Sequence, residues 1–112
     1  MFKSAEVKLG DLFASSGQGP SNLLCPSCGD FYMHQKGVTV FDRNEDDETC
    51  FVTAAARQEV MVKKRAAPDN PSPRRQGMTI YFRCEFCTPI FKLHIAQHKG
   101  VTMLNWSWRE KA

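Results

Sequence analysis

From residue 78 to the C-terminus, hydrophobic and polar positions alternate. Met78, Ile80 and Phe82 share one parity, and Thr79, Tyr81 and Arg83 share the other. The alternation resumes at 90–98, where Phe91, Leu93 and Ile95 are set against Lys92, His94 and Ala96. After Gly100 it continues with Leu104, Trp106 and Trp108 on one parity. A period of two is the pattern of strands with one buried face, so 78–83, 90–98 and 101–108 are predicted strands. Upstream, Phe31, Tyr32, Val38, Thr39, Val40 and Phe41 predict a strand over 31–41. Within 50–63, Cys50, Val52, Ala54, Ala56, Val60 and Val62 fall on one parity. This predicts a single half-buried strand, bulged near Gln58, with a short helix at the three consecutive alanines as the alternative.

The polar run 42–48 then becomes the turn of a hairpin between 31–41 and 50–63. Residues 65–77 contain Pro68, Pro71, Pro73 and Gly77, which exclude regular structure. Pairing 78–83 with 90–98 is predicted to set Phe82 opposite Leu93 and Ile80 opposite Ile95. The other face then places Arg83 beside Lys92, Tyr81 beside His94 and Gly77 near His98. The N-terminal pattern fits neither a long helix nor a clean strand, and Ser15–Ser21 reads as a flexible linker. The expected organisation is an arm and linker over 1–22, one domain over 23–109 and a tail over 110–112.

The chain's 112 residues suffice for one domain with a modest core. A hydrophobic content of 42% argues against a disordered chain. The sequence has neither a run of about 18 apolar residues nor the apolar start of a secretory signal, so a cytoplasmic setting is expected. Charge is unevenly spread. Asp42, Glu45, Asp46, Asp47 and Glu48 stand against Arg43 alone, whereas Lys63, Lys64, Arg65, Arg74 and Arg75 stand against Asp69 alone. An acidic tip and a basic half are expected. The acidic run lacks the glycine and alternating ligands of a calcium loop.

The strongest chemical signal is a pair of Cys-x-x-Cys sequences, Cys25-Pro26-Ser27-Cys28 and Cys84-Glu85-Phe86-Cys87. Each can aim two thiolates at one point, and together they supply a tetrahedral four-sulfur site. One zinc ion is the expected metal. Such a closed site has no open position for water, which points to a structural ion. Gly29, directly after the first pair, suits a knuckle needing positive φ. The interval 29–83 is longer than in compact ribbons, so the hairpin must fill it. A thiol redox pair and a four-thiolate iron site are the alternatives, with His34 or His94 as substitute ligands should one cysteine not bind. Close pairs favour metal over disulfides, and hence a reducing compartment. The fifth cysteine, Cys50, lies on the apolar parity of its strand and is expected in the core.

No catalytic constellation is present, so a non-enzymatic binding role is expected. Cations beside an aromatic ring on a sheet face suit nucleic acid, with phosphates on the cations and a base on the ring. The candidates are Arg74, Arg75, Tyr81, Arg83, Lys92, His94 and Lys99. A solvated antiparallel face carries such residues without any ligand, and that is the competing explanation. A protein-contact role is the alternative. It would use Leu12 and Phe13 of the arm, the acidic residues Asp42, Glu45, Asp46, Asp47 and Glu48, or Trp106 and Trp108, although core packing is the more ordinary use of both tryptophans. No membrane partner or small-molecule substrate is evident.

Cys25-Pro26-Ser27-Cys28-Gly29 with Cys84-Glu85-Phe86-Cys87 resembles the zinc-ribbon family. Together with Asn70–Gly77 and Gln97-His98-Lys99-Gly100, these residues resemble small zinc-ribbon proteins of bacterial and phage genomes over residues 23–106. The resemblance implies binding rather than catalysis, and a phage- or mobile-element-type modulator of a host machine as one form of the protein-contact role. The expected fold is mostly β: an enlarged zinc ribbon whose antiparallel sheet has about five strands, with a hairpin inserted between the knuckles.

Overall fold

The computed structural model describes the backbone of residues 2–6, 13–14 and 22–109, and the side chains of 22–109. Its described residues form an all-β chain with no helix. The described residues contain nine strands: β1 (Phe2–Glu6), β2 (Phe13–Ala14), β3 (Asn22–Leu23), β4 (Met33–Asp42), β5 (Cys50–Ala56), β6 (Glu59–Arg65), β7 (Gly77–Cys84), β8 (Ile90–His98) and β9 (Val101–Arg109). Seven make one antiparallel sheet in the order β1-β9-β8-β7-β4-β5-β6, and β2 pairs with β3 separately. Six of the seven come from the stretch 33–109. The seventh, β1, takes its place beside β9, from Phe2↔Arg109 to Glu6↔Asn105, so part of the expected arm extends the sheet. Leu12, the linker 15–21 and the tail 110–112 lie outside the described residues.

Two sequence expectations are corrected. Residues 50–63 are not one bulged strand but a hairpin, because Arg57 (φ 52°) and Gln58 (φ 65°) both turn left-handed. Two successive positive φ values make the tight turn whose twist matches a β-hairpin. The turn also reverses the faces: Cys50 and Val52 lie on one face of the sheet, whereas Val60 and Val62 lie on the other. No glycine or asparagine marks this turn, which is why its break in alternation reads as a bulge within one strand. The second correction concerns register. Phe82 faces Phe91, Ile80 faces Leu93, Tyr81 faces Lys92, Thr79 faces His94, Arg83 faces Ile90 and Gly77 faces Ala96. The knuckle closes within 84–89, so the strands meet sooner than expected. Since the shift is two residues, each side chain keeps its predicted face and changes only its partner.

Two cores form, one on each face. On the cysteine face Cys25, Phe82, Cys84, Phe91, Leu93, Trp106 and Trp108 are buried together. Phe82 meets Trp106 edge-on at 5.9 Å between ring centres, and Phe91 meets Trp108 at 5.3 Å. On the opposite face Phe41, Cys50 and Val52 make a smaller cluster, with Ala67 against it. The β6–β7 connection supplies that cover, crossing over β5 and β4 at the sheet end remote from the knuckles. It is ordered by buried polar groups. Asn70 Nδ2 donates to the Arg75 carbonyl at 2.9 Å, its Oδ1 accepts from the Ser72 amide at 3.0 Å, and Ser72 Oγ donates to the Gln97 carbonyl at 2.8 Å. Gly77 lies directly beneath, where a side chain would collide with Asn70 and stand 2.9 Å from the Pro71 ring.

Candidate functional site

The first knuckle forms because its backbone hydrogen bonds close on themselves. The Cys25 amide donates to the Asp30 carbonyl at 2.8 Å, and the Gly29 amide donates to the Cys25 carbonyl at 2.9 Å. Gly29 has the predicted positive φ, 77°. The Ser27 amide points at Cys25 Sγ, 3.4 Å away. The second knuckle grows from the end of β7, where Cys84 is fully buried, and is tied to the chain before β4 by the Glu85 amide donating to the Tyr32 carbonyl at 3.2 Å.

All four knuckle sulfurs lie within 4.8 Å of one another. Cys25 Sγ is 3.9 Å from Cys87 Sγ, and Cys28 Sγ is 3.6 Å from Cys84 Sγ. A tetrahedron with metal–sulfur bonds of about 2.3 Å has edges of about 3.8 Å, so the donor set fits a metal ion of that size. A disulfide needs sulfurs only about 2 Å apart, and the cysteines are free. Burial pushes the Cys25 thiol up. Burial and the neighbouring thiols push Cys87 up to about 12, whereas the Asp30 backbone lowers Cys28. A cation would reverse this preference for neutral thiols by stabilising the thiolates. Cys50 stands apart from the cluster and is 2% exposed in the smaller core, as its parity predicts.

The predicted nucleic-acid residues do not form one patch. Arg74 is bound to the acidic turn, with Nε 2.7 Å and Nη2 2.8 Å from the two Asp46 oxygens and Nη2 3.3 Å from Glu45. Arg75 reaches the same Glu45 oxygen at 2.9 Å. Gln76 donates to Asp42 at 2.8 Å, and Arg43 donates to the carbonyls of Asp47 and Pro73. The acidic tip and part of the basic half therefore neutralise each other. The Arg74 guanidinium holds the Asp46 carboxyl below its ordinary range. His94 is half-buried, with Nδ1 2.9 Å from Thr79 Oγ1 and Nε2 2.6 Å from Ser107 Oγ. Burial and the Lys92 cation lower its pKa. Both ring nitrogens are engaged, in a hydrogen-bond chain across β7, β8 and β9. Lys99 (φ 49°) forms the β8–β9 turn with Gly100, at the end of the sheet opposite Arg83. Trp106 and Trp108, 2% and 8% exposed, pack in the core, the more ordinary of the two uses expected for them.

Tyr81, Arg83 and Lys92 do come together, on the face opposite the cysteines. Lys92 Nζ lies 5.9 Å from the centre of the Tyr81 ring. Tyr81 and Arg83, though not Lys92, line an open groove of about 650 Å³ over Gly37, Thr39, Ala54 and Ala56. Small residues on β4 and β5 make the floor low, and Tyr81 and Met61 rise beside it. Lys36 and Arg57 add two cations that sequence reasoning missed. Lys36 is the extra residue where the β4–β7 register shifts between Gln35 and Gly37, and Arg57 heads the unmarked turn. Among the described residues Lys36, Arg57, Arg83 and Lys92 make no ion pair, and Glu59 is the only acid lining the groove. No described helix is long and apolar enough to cross a membrane. Comparison of the chain with protein-family models, curated proteins and solved structures finds no match in any of the three.

Proposed function

We propose that this chain is a non-catalytic binding protein. One structural zinc ion, held by Cys25, Cys28, Cys84 and Cys87 in the manner of a zinc ribbon, clasps a sheet whose opposite face contacts nucleic acid. Four thiolates favour zinc and fill its tetrahedral shell, which supports a structural over a catalytic ion. The observation that carries the nucleic-acid reading is the groove lined by Tyr81 and by Lys36, Arg57 and Arg83, with Lys92 over the Tyr81 ring and none of the four cations in an ion pair among the described residues. Cations without carboxylate partners are available to phosphates, and a tyrosine at a groove edge offers a stacking surface. Arg74, Arg75 and His94 have no such freedom and are left out of the contact set. Free cysteines are compatible with the reducing cytoplasm this reading assumes.

The test is oligonucleotide binding by fluorescence anisotropy across a salt series, on protein whose metal content is measured first. One zinc per chain is expected, with affinity falling steeply as salt rises. Arg83→Ala and Lys36→Ala should each weaken binding and reduce the salt slope by about one. Arg74→Ala should leave the slope unchanged. Absence of binding at low salt, or an Arg74 effect equal to that of Arg83, would overturn the proposal. Metal-free folded protein that cycles between thiol and disulfide would instead favour redox chemistry.

A second reading has its own support. Phe31, Tyr32 and Phe86 are 50%, 49% and 65% exposed on the knuckles, with ring centres 4.7 and 6.3 Å apart. Exposed clustered aromatics suit a protein partner, and this patch replaces the tryptophans as its anchor. Unchanged oligonucleotide binding in Phe86→Ala beside loss of a co-purifying protein would favour it.

A further inference from the structure

Strand β6 ends the sheet, and among the described residues only β5 lies beside it. The β5–β6 register is unbroken from Ala56↔Glu59 to Cys50↔Arg65. A two-residue turn closes on a hydrogen-bonded pair, so Glu59, Met61 and Lys63 bond toward β5 while Val60 and Val62 aim their amides and carbonyls at the open edge. Val60, Met61 and Val62 are 66%, 70% and 62% exposed. Natural edges are blunted by proline, bulges or charge, and residues 60–62 contain none of these.

The segment Glu59-Val60-Met61-Val62-Lys63 is symmetric in hydrophobicity and antisymmetric in charge about Met61. Laid antiparallel on a second copy with Met61 facing Met61, it sets Val60 against Val62 and Glu59 against Lys63 at both ends. Val60 and Val62 are also the residues whose backbone groups point outward, so they exchange the hydrogen bonds. Moving the two-fold axis to Val62 sets Val60 against Lys64 and Met61 against Lys63. Moving it to Val60 sets the apolar Met61 against Glu59. Only the Met61-centred register matches apolar with apolar and acid with base.

We propose that this chain forms a two-fold dimer by antiparallel pairing of β6 with β6 of a second copy, centred on Met61. The axis stands perpendicular to the sheet, so both grooves open on the same side. Lys63 of the second copy then neutralises Glu59, the acid lining the groove. The dimer does not depend on the nucleic-acid reading and stands or falls separately from it.

Sedimentation equilibrium of the metal-loaded protein tests it. Reversible association to twice the 12.7 kDa chain mass is expected, with a dissociation constant in the micromolar range for so small an interface. Glu59→Lys alone and Lys63→Glu alone should each weaken self-association by about ten-fold or more through like-charge contacts. An equimolar mixture of the two variants should recover a 1:1 heterodimer, which misfolding of either could not produce. A wild-type chain still monomeric at about 1 mM, or a mixture no more associated than its components, would overturn the proposal.

Discussion

His94 looks from the sequence like a cation on an exposed face, and the structure makes it a neutral hydrogen-bonding bridge. Thr79 and Ser107 occupy its two nitrogens, and burial, then the Lys92 charge, lowers its pKa from the ordinary 6.5. A depressed folded value means that the unfolded chain binds more protons over the interval between that value and 6.5. Stability from this site is therefore complete above about pH 6.5 and is lost as pH falls through the folded value. Urea midpoints measured between about pH 5 and 8 should drop toward the acid side, and His94→Gln should flatten that slope relative to wild type. Any release of a bound metal in acid would affect both proteins alike, so the difference between them isolates His94. Parallel profiles would contradict the assignment. Single-residue roles were legible where chemistry is local: the cysteine spacing, Gly29 and the apolar parity of Cys50 all follow from neighbours in sequence. Arg74 and His94 were not, because their partners lie at Asp46 and at Thr79 and Ser107, brought close only by strand order.

At the scale of the element, the strands from 78 onward were readable because one face is buried and the other is not, so alternation survives along their length. Register was less readable, since hydrophobic parity is unchanged by a shift of two. The hairpin at Arg57-Gln58 showed in the sequence only as a break in alternation at Gln58 that reads equally as a bulge, because its left-handed residues carry ordinary side chains. That mismatch has a consequence for stability. A non-glycine residue in the left-handed region costs about 1 kcal/mol or more, and glycine does not bear that cost. Gln58→Gly keeps the groove cation Arg57, touches no core residue and matches the demand of the turn. It should raise stability by up to about 1 kcal/mol, read as a higher thermal midpoint at unchanged metal content, with the entropy of glycine in the unfolded chain offsetting part of the gain. Gln58→Val should act in the opposite direction, since β-branched side chains tolerate positive φ worst. A lower midpoint for the glycine variant would contradict the turn geometry.

Over the whole molecule, the four cysteines join the segment before β4 to the β7–β8 turn, whereas the acidic turn sits at the far end of the sheet under its own fastening of Arg74, Arg75, Asn70 and Ser72. The question is whether that far end survives without metal. The larger core includes Cys25 and Cys84 and is roofed in part by Leu23, so the cysteine-bearing segment is part of its cover. The smaller core is Phe41, Cys50 and Val52, too few buried side chains to hold a sheet alone. A structural zinc ion held there as proposed would contribute on the order of 10–16 kcal/mol, against a total stability of about 5–15 kcal/mol for a typical domain. On the proposed function, the site's share would match or exceed the stability of the whole fold. Both cores are also built on shared strands, with β4 and β7 running the length from the knuckles to the acidic turn. Chelation is therefore expected to unfold the chain cooperatively rather than loosen one end. Near-ultraviolet dichroism of Trp106 and Trp108 should vanish at the same chelator concentration that abolishes amide protection around Phe41 and Val52. Retained protection at Phe41 after the tryptophan signal has gone would mean that the Asn70 loop holds its end of the sheet independently. The metal would then fasten only the knuckle end, and the acidic turn would stand as a separate stabilising unit.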